Sequence, residues 1–130
     1  MFVKNVVEYL LENNFDGMEF DWEYPVCWQM DCSIGNPNDR ENFSQLIREL
    51  GQAFKQRGLI LSVAVSSSSQ VINRAYDIPS LSENTDFVSV MAYDYNGHWD
   101  KRTGHIAPLY PHPTSDTDQT LNINHTVHQV

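Results

Sequence analysis

Three carboxylates occupy alternate positions in an otherwise apolar segment. Glu19, Asp21 and Glu23 lie at i, i+2 and i+4 of the run Met18-Glu19-Phe20-Asp21-Trp22-Glu23-Tyr24. In a β-strand such positions share one face, and successive side chains lie about 6.6–6.8 Å apart. Like charges at this spacing oppose simultaneous ionisation, so at least one carboxyl tends to hold its proton, as a general acid at neutral pH requires. If this face is secluded from water, Glu23 at the C-terminal end of the strand is the natural proton donor.

The same pattern has a structural explanation. An edge strand with a solvated acidic face and with Met18, Phe20 and Trp22 packed inward would alternate in the same way. The two interpretations differ in whether the acidic face is secluded from water. The elements around the strand decide between them.

Those elements alternate between helix and strand. Val3 to Leu11 has helical spacing and ends before Asn13-Asn14, and the strand with the three carboxylates ends at Pro25. A loop over 26–37 follows. Asn38, three residues before Glu41, predicts a capping box at the start of a second helix that ends near Gly58. The apolar run Leu59–Val65 predicts a strand buried on both faces.

The second half continues the alternation. Residues 70–84 are predicted as short helical turns broken by Pro79, and residues 87–93 as a third strand. From about 98 to 120 there is no periodicity, which is typical of a functional or disordered loop. Residues 121–130 are predicted to begin another helix. Repeated βα units with right-handed crossovers predict an α/β fold with a parallel sheet. Three strands leave both sheet edges open, so we expect a piece of a larger α/β protein.

Composition limits the classes of partner. The 130 residues fit one small domain, and 41% hydrophobic residues with six Tyr, six Phe and three Trp predict a buried core. Eight basic against 17 acidic residues give a formal net charge of −9, which disfavours nucleic acid and membrane surfaces. We identify no signal peptide and no membrane span in the chain as given.

Cys27 and Cys32 are the two cysteines of the chain. A local disulfide is the simplest pairing and would need an oxidising compartment, while two free thiols in a loop are the alternative. Two cysteines are too few for a tetrahedral zinc site, and the five histidines show no ligand spacing with them. We expect no metal and no cofactor.

Two segments resemble one enzyme family. Phe15-Asp16-Gly17-Met18-Glu19-Phe20-Asp21-Trp22-Glu23-Tyr24-Pro25 resembles the Asp-Gly-x-Asp-x-Asp-x-Glu signature of glycoside hydrolase family 18 chitinases, and Met91-Ala92-Tyr93-Asp94 resembles their Met-x-Tyr-Asp segment. The segments around Cys27–Cys32 and Thr103–Tyr110 are similar to arthropod members. The resemblance covers essentially the whole chain, residues 1–130. It implies a partial (β/α)8 barrel, covering about strands four to six.

The resemblance also implies a reaction. The family hydrolyses β-1,4 bonds of chitin and N-acetylglucosamine oligosaccharides with retention, and the substrate's own acetamido group assists. It implies that Glu23 is the general acid and base, that Asp21 and Tyr93 orient the acetamido group, and that Glu19, Met91 and Asp94 bind substrate. Trp99 is a further candidate for substrate binding, because an indole face can stack on the C–H groups of a sugar ring, and a surface-packed indole in the loop is the alternative. We expect a secreted parent protein, whose remaining strands would complete the barrel.

One position departs from the family pattern. Glu19 stands where the family has aspartate, and the added methylene at a crowded inward position puts the tuning of Asp21 in question. Two alternatives to a chitinase stay open. One is a catalytically silent, lectin-like chitin-binding member of the family, and the other is an inactive truncated fragment.

Overall fold

The computed structural model describes residues 1–114, 116 and 118–130. Its helices and strands follow the predicted alternation. In chain order they are α1 Phe2–Glu12, β1 Gly17–Phe20, α2 Asp39–Lys55, β2 Ile60–Val65, α3 Ser69–Ala75, α4 Ile78–Asn84, β3 Phe87–Val90 and α5 Ile123–Val127. No helix among these described residues is long and apolar enough to cross a membrane.

The three strands form a parallel sheet in the order β1-β2-β3. Glu19 pairs with Ser62, and Ala64 pairs with Ser89, so residues aligned across the sheet point to the same side. Gly17 permits the close approach of β1 to β2, because a Cβ there would lie 2.0 Å from the Ile60 carbonyl oxygen. Neighbouring parallel strands in sequence order, joined by helices, are the repeating unit of a (β/α)8 barrel.

The core lies between α2 and the outer face of the sheet. Phe43 of α2 packs its ring against Phe20 and, edge-on, against Trp22, with both centroid separations at 5.7 Å. Burial of these apolar side chains is the main stabilising term for such a layer. It also fixes the orientation of the strand: since the even-numbered side chains from Met18 to Trp22 face α2, the odd-numbered carboxylates face the opposite side.

Two strands are shorter than predicted. The ladder between β1 and β2 ends at the Phe20–Val63 pair, so Asp21 and Glu23 lie beyond the strand proper. At β3, the Met91 amide still donates to the Val65 carbonyl at 3.0 Å, but β2 itself ends at that residue. The next two amides, of residues 92 and 93, instead bond to carbonyls two residues earlier, at 2.8 and 2.9 Å.

Two helix starts also differ from the prediction. Asn38 is the N-cap of α2, but its own backbone is already helical, with φ −77° and ψ −10°, and within the described residues its side chain caps no amide. The predicted capping box is therefore wrong. Pro79 does not break a helix. It lies in the first turn of α4, which begins at Ile78, where its missing N–H costs nothing, and Asp77 caps that turn through the Ser80 amide.

The segment between β3 and α5 is long and irregular, as predicted. Its described residues contain no helix or strand. It leads into α5, whose N-cap Asn122 accepts a hydrogen bond from the His125 amide at 2.9 Å. Ile123 and Asn124 donate their amides to the carbonyls of Pro108 and Leu109, at 2.9 and 3.1 Å. The loop is thereby fastened to the short helix that follows it.

Candidate active site

The carboxyl ends of the three strands surround a cleft of about 770 Å³. Parallel α/β folds place their ligand sites at this end of the sheet. Five of the residues singled out from the sequence line the cleft, and they come from three separate segments of the chain. They are Glu23, Met91, Tyr93, Asp94 and Trp99.

Glu23 lies where the chain leaves β1, and its neighbour Tyr24 lines the same cleft. Burial of the Tyr24 phenol, together with the nearby negative charge of Glu23, raises the pKa of Tyr24 from 10.0 to about 12. A hydrogen bond with Ser66 acts in the opposite direction. At neutral pH Tyr24 is therefore a neutral hydrogen-bonding group beside the exposed side chain of Glu23.

The other two carboxylates lie outside this cleft. Asp21 is exposed on the continuation of β1, and its charge, like that of Glu23, contributes to the raised pKa of Tyr24. Glu19 lies two residues before Asp21, within β1 itself. Its Oε1 accepts hydrogen bonds from Ser62 Oγ at 3.1 Å and from Ser89 Oγ at 2.5 Å. The structure therefore brings Glu19 to two serines, and it does not bring it to the cleft as a substrate ligand would require.

Tyr93 and Asp94 mark the exit of the chain from β3. The Tyr93 side chain is 51% exposed toward the cleft. Asp94 has a positive φ of 55°, a left-handed conformation that aspartate tolerates better than most residues. This turn sends the next residue, Tyr95, into the interior, while Tyr93 faces the opening.

Trp99 forms part of the cleft wall from the following loop. Its ring lies over Gly97, where a Cβ would come within 2.4 Å of it, and it meets the His98 ring at a centroid separation of 5.1 Å. The loop is held by the Gly97 amide, which donates to Asp100 Oδ2 at 2.8 Å. With 59% of its side chain exposed, Trp99 has a face available to a ligand.

Cys27 and Cys32 form a disulfide, as the simplest pairing predicted. The bridged loop has positive φ at Gln29 and Met30, of 46° and 74°. It turns Met30 into the cleft, close to Ser66. Met30 was not singled out from the sequence, because nothing in its local pattern shows which way a constrained loop will point it.

The serine run after β2 is the largest contribution that sequence reasoning missed. Ser66 to Ser69 line the cleft directly after the buried strand. Their position at the carboxyl end of a predicted parallel strand was a usable signal, since such ends carry ligand sites. Ser66 is buried and accepts a hydrogen bond from the Ser68 amide at 3.1 Å, so the run is an ordered turn.

A metal centre is not formed by the described part of the chain. Among those residues, no group of three or more His, Cys, Asp or Glu side chains converges so that it could hold a metal ion. The cleft instead offers carboxylate, phenol, hydroxyl and indole groups with apolar side chains between them. Such a surface suits a neutral, polyhydroxylated ligand with flat apolar faces.

Comparisons with known proteins agree with this arrangement. The Glycosyl hydrolases family 18 profile matches residues 1–130. The chain is 47% identical over 126 residues to probable chitinase 10 of Drosophila melanogaster and 40% identical over 126 residues to probable chitinase 2 of the same species. In each case the match covers 97% of this chain. It spans 6% of the first relative's length and 24% of the second's.

Solved structures place the fold in the same family. Catalytic domain 2 of the Ostrinia furnacalis Group II chitinase superposes with a TM-score of 0.93 at 51% identity, covering 97% of this chain and 33% of that one. The Ostrinia furnacalis Group IV chitinase superposes with a TM-score of 0.85 at 38% identity, covering 98% and 34%. The predicted partial barrel is confirmed. The chain belongs to glycosyl hydrolase family 18.

Proposed function

We propose that residues 1–130 form part of a catalytic domain that hydrolyses β-1,4 bonds in chitin and N-acetylglucosamine oligosaccharides. The observation that carries the proposal is the shared cleft of Glu23, Met91, Tyr93, Asp94 and Trp99 at the carboxyl end of the sheet. The activity is proposed for a longer protein that contains this chain, since the chain spans 33% of the related catalytic domain.

Glu23 is the proposed general acid and base. In the first step it donates its proton to the glycosidic oxygen, and the bond from that oxygen to the anomeric carbon breaks. The acetamido carbonyl oxygen of the same sugar forms a new bond to that carbon, which gives an oxazolinium ion. Water then attacks the anomeric carbon and gives a proton to Glu23. The bond from that carbon to the acetamido oxygen breaks, which opens the oxazolinium ring with retention of configuration at the anomeric carbon.

Asp21 and Tyr93 are the proposed partners of the acetamido group. Asp21, two residues before Glu23, would accept from the acetamido N–H, an interaction that strengthens as positive charge develops on the group. Tyr93 would donate to its oxygen from the opposite strand end. Met91, Asp94 and Trp99 would then enclose the sugar, with Trp99 offering an indole face to the pyranose C–H groups.

Two related structures support a chitooligosaccharide as the ligand. A Glu-to-Leu mutant of catalytic domain 2 of the Ostrinia furnacalis Group II chitinase, 50% identical to this chain, is described in complex with penta-N-acetylchitooctaose. The Group IV enzyme of that insect, 38% identical, is described in complex with allosamidin. The disulfide supports a secreted parent, because disulfides persist in oxidising compartments.

Sugar binding without turnover is the second candidate, for this chain on its own. The inner face of the sheet is open: Ile60 is 46% exposed and Phe87 is 55% exposed. A site that does not exclude water loses much of the electrostatic stabilisation on which the chemical step depends. The open face therefore favours retained affinity with a slow or absent reaction in the isolated chain.

The experiment is release of a fluorogenic leaving group from a chitooligosaccharide. It compares a longer protein that contains this chain with its Glu23→Gln variant and with its Glu12→Gln variant, a matched change at an exposed glutamate on α1, and it tests the isolated chain for binding and release alongside them. We expect Glu23→Gln to lower the rate about 100-fold to 10,000-fold and Glu12→Gln to leave it unchanged. Binding without release supports the second candidate. Equal rates in both variants would rule out Glu23 as the acid.

A further inference from the structure

We propose that Glu19 is a positioning residue that ties β1 to β3 across the inner face of the sheet. Its carboxylate oxygen Oε1 accepts a hydrogen bond from Ser62 on the central strand and another from Ser89 on the far strand. The two serines lie 43 and 70 residues away along the chain. We refer to Glu19, Ser62 and Ser89 together as the serine clamp.

The geometry explains why glutamate stands at this position. Adjacent strands lie about 4.7–4.9 Å apart, so a side chain on β1 must cross the whole width of β2 to reach β3. Ala64, which pairs with Ser89, leaves room for that crossing. Aspartate is shorter by one methylene, about 1.5 Å, so its carboxylate would fall short of Ser89 on the far strand. Glu19 and Ser89 therefore belong together in this sequence.

The serine clamp lies directly beneath the residues of the proposed reaction. Asp21 and Glu23 follow Glu19 by two and four positions, and Met91 and Tyr93 follow Ser89 by two and four positions. A link between the two strands at this level fixes the distance between the proton donor and the phenol above it. A carboxylate accepting two hydroxyl hydrogen bonds makes a stronger link than two neutral groups would.

The consequence for Glu19 is a change of role. Its charge is held by hydroxyl groups of β2 and β3, so it does not serve as a ligand for the sugar. This inference rests on the proposed function only for the identity of the residues being positioned. The clamp itself can be tested in the absence of any substrate.

The first measurement is a double-mutant cycle of urea unfolding with Glu19→Asp, Ser89→Ala and the double variant. If the hydrogen bond links the two side chains, the double variant is no less stable to urea than the less stable of the two single variants. We expect a coupling of about tenfold in the unfolding equilibrium constant, since hydrogen bonds to charged groups are the stronger ones. Additivity of the two single effects to within about twofold would overturn the clamp.

The second measurement separates positioning from stability. Amide resonances of Asp21 and Glu23 on the β1 side are compared in Ser89→Ala, in Ser89→Thr, which keeps the hydroxyl, and in the control Ser82→Ala, an exposed serine of α4. We expect both resonances to shift in Ser89→Ala and to return in Ser89→Thr. Unmoved resonances in Ser89→Ala would overturn the positioning role. Absence of chitooligosaccharide cleavage by a longer protein that contains the unaltered chain, with the coupling between Glu19 and Ser89 intact, would instead refute the proposed function alone.

Discussion

Tyr95 donates its phenolic hydrogen to Thr126 Oγ1 at 2.7 Å, within the buried part of the molecule. The Thr126 hydroxyl in turn donates a hydrogen bond to the Ser67 carbonyl at 3.1 Å. One threonine of α5 thus joins the exit of β3 to the exit of β2. Both strand ends line the cleft, so a helix remote in sequence defines the position of the cleft walls.

Thr126→Val tests this connection. Valine has a similar shape but leaves the buried Tyr95 hydroxyl without its acceptor, which costs about 1–3 kcal/mol of unfolding free energy. Thr126→Ser keeps the hydroxyl and should recover most of that loss. Urea unfolding followed by circular dichroism gives both values. A Thr126→Val chain as stable as the unaltered one would show that the connection is not stabilising.

Much of the fold was predictable because it depends on local periodicity. The alternation from Met18 to Trp22 assigned each side chain to a face, and the packing of Trp22 against Phe43 confirms the assignment. The spacing of apolar residues likewise located α2 and β2. These features need only the residues of one element and the rule that apolar faces pack together.

The rest depends on contacts between distant segments. Glu19 has its hydrogen-bond partners on two other strands. The sequence motif alone does not show those partners, and it suggested a sugar or a neighbouring acid as the partner of Glu19. Strand ends were also misjudged, since β3 ends where β2 stops offering partners, whatever its own composition favours. Met30 enters the cleft through the conformation of a bridged loop, which no periodicity describes.

The titration of Tyr24 gives a prediction about pH. Its pKa in the folded chain is about 12 against 10.0 for an ordinary tyrosine, so the unfolded chain releases this proton first. The contribution of Tyr24 to stability is therefore complete below about pH 10 and is lost as the pH rises toward 12. We expect the alkaline loss of stability to be shallower in Tyr24→Phe. An unchanged slope would contradict the raised pKa.

A substitution at Glu23 gives a second test of the raised pKa of Tyr24. Because its negative charge is a cause of the raised Tyr24 pKa, Glu23→Gln should lower that pKa toward 10.0, while Glu12→Gln should not. Ultraviolet titration of the phenolates follows this directly, with Tyr24→Phe identifying the late-titrating group. Identical titration curves for the two glutamine variants would show that the charge of Glu23 does not raise the pKa of Tyr24.

The disulfide should contribute to stability by restricting the unfolded chain. Cys27 and Cys32 are five residues apart, and closing so small a loop is worth roughly 2 kcal/mol of unfolding free energy. We expect the double alanine variant at the two cysteines to lose about that amount. Adding a reductant should destabilise the unaltered chain similarly and leave the double variant unaffected. A reductant effect on both proteins would point to another cause.

Two exposed tryptophans form a matched pair for testing the cleft. Trp99 and Trp28 are 59% and 54% exposed, but only Trp99 lines the cleft. If the indole face of Trp99 stacks on a sugar ring, Trp99→Ala should weaken chitooligosaccharide binding about fivefold to tenfold, the scale of one aromatic contact. Trp28→Ala removes the same surface from the disulfide loop and should leave affinity unchanged. Calorimetric titration measures both. Equal losses of affinity in the two variants would show that binding is not specific to the cleft. A loss in Trp28→Ala alone would place the binding surface at the disulfide loop.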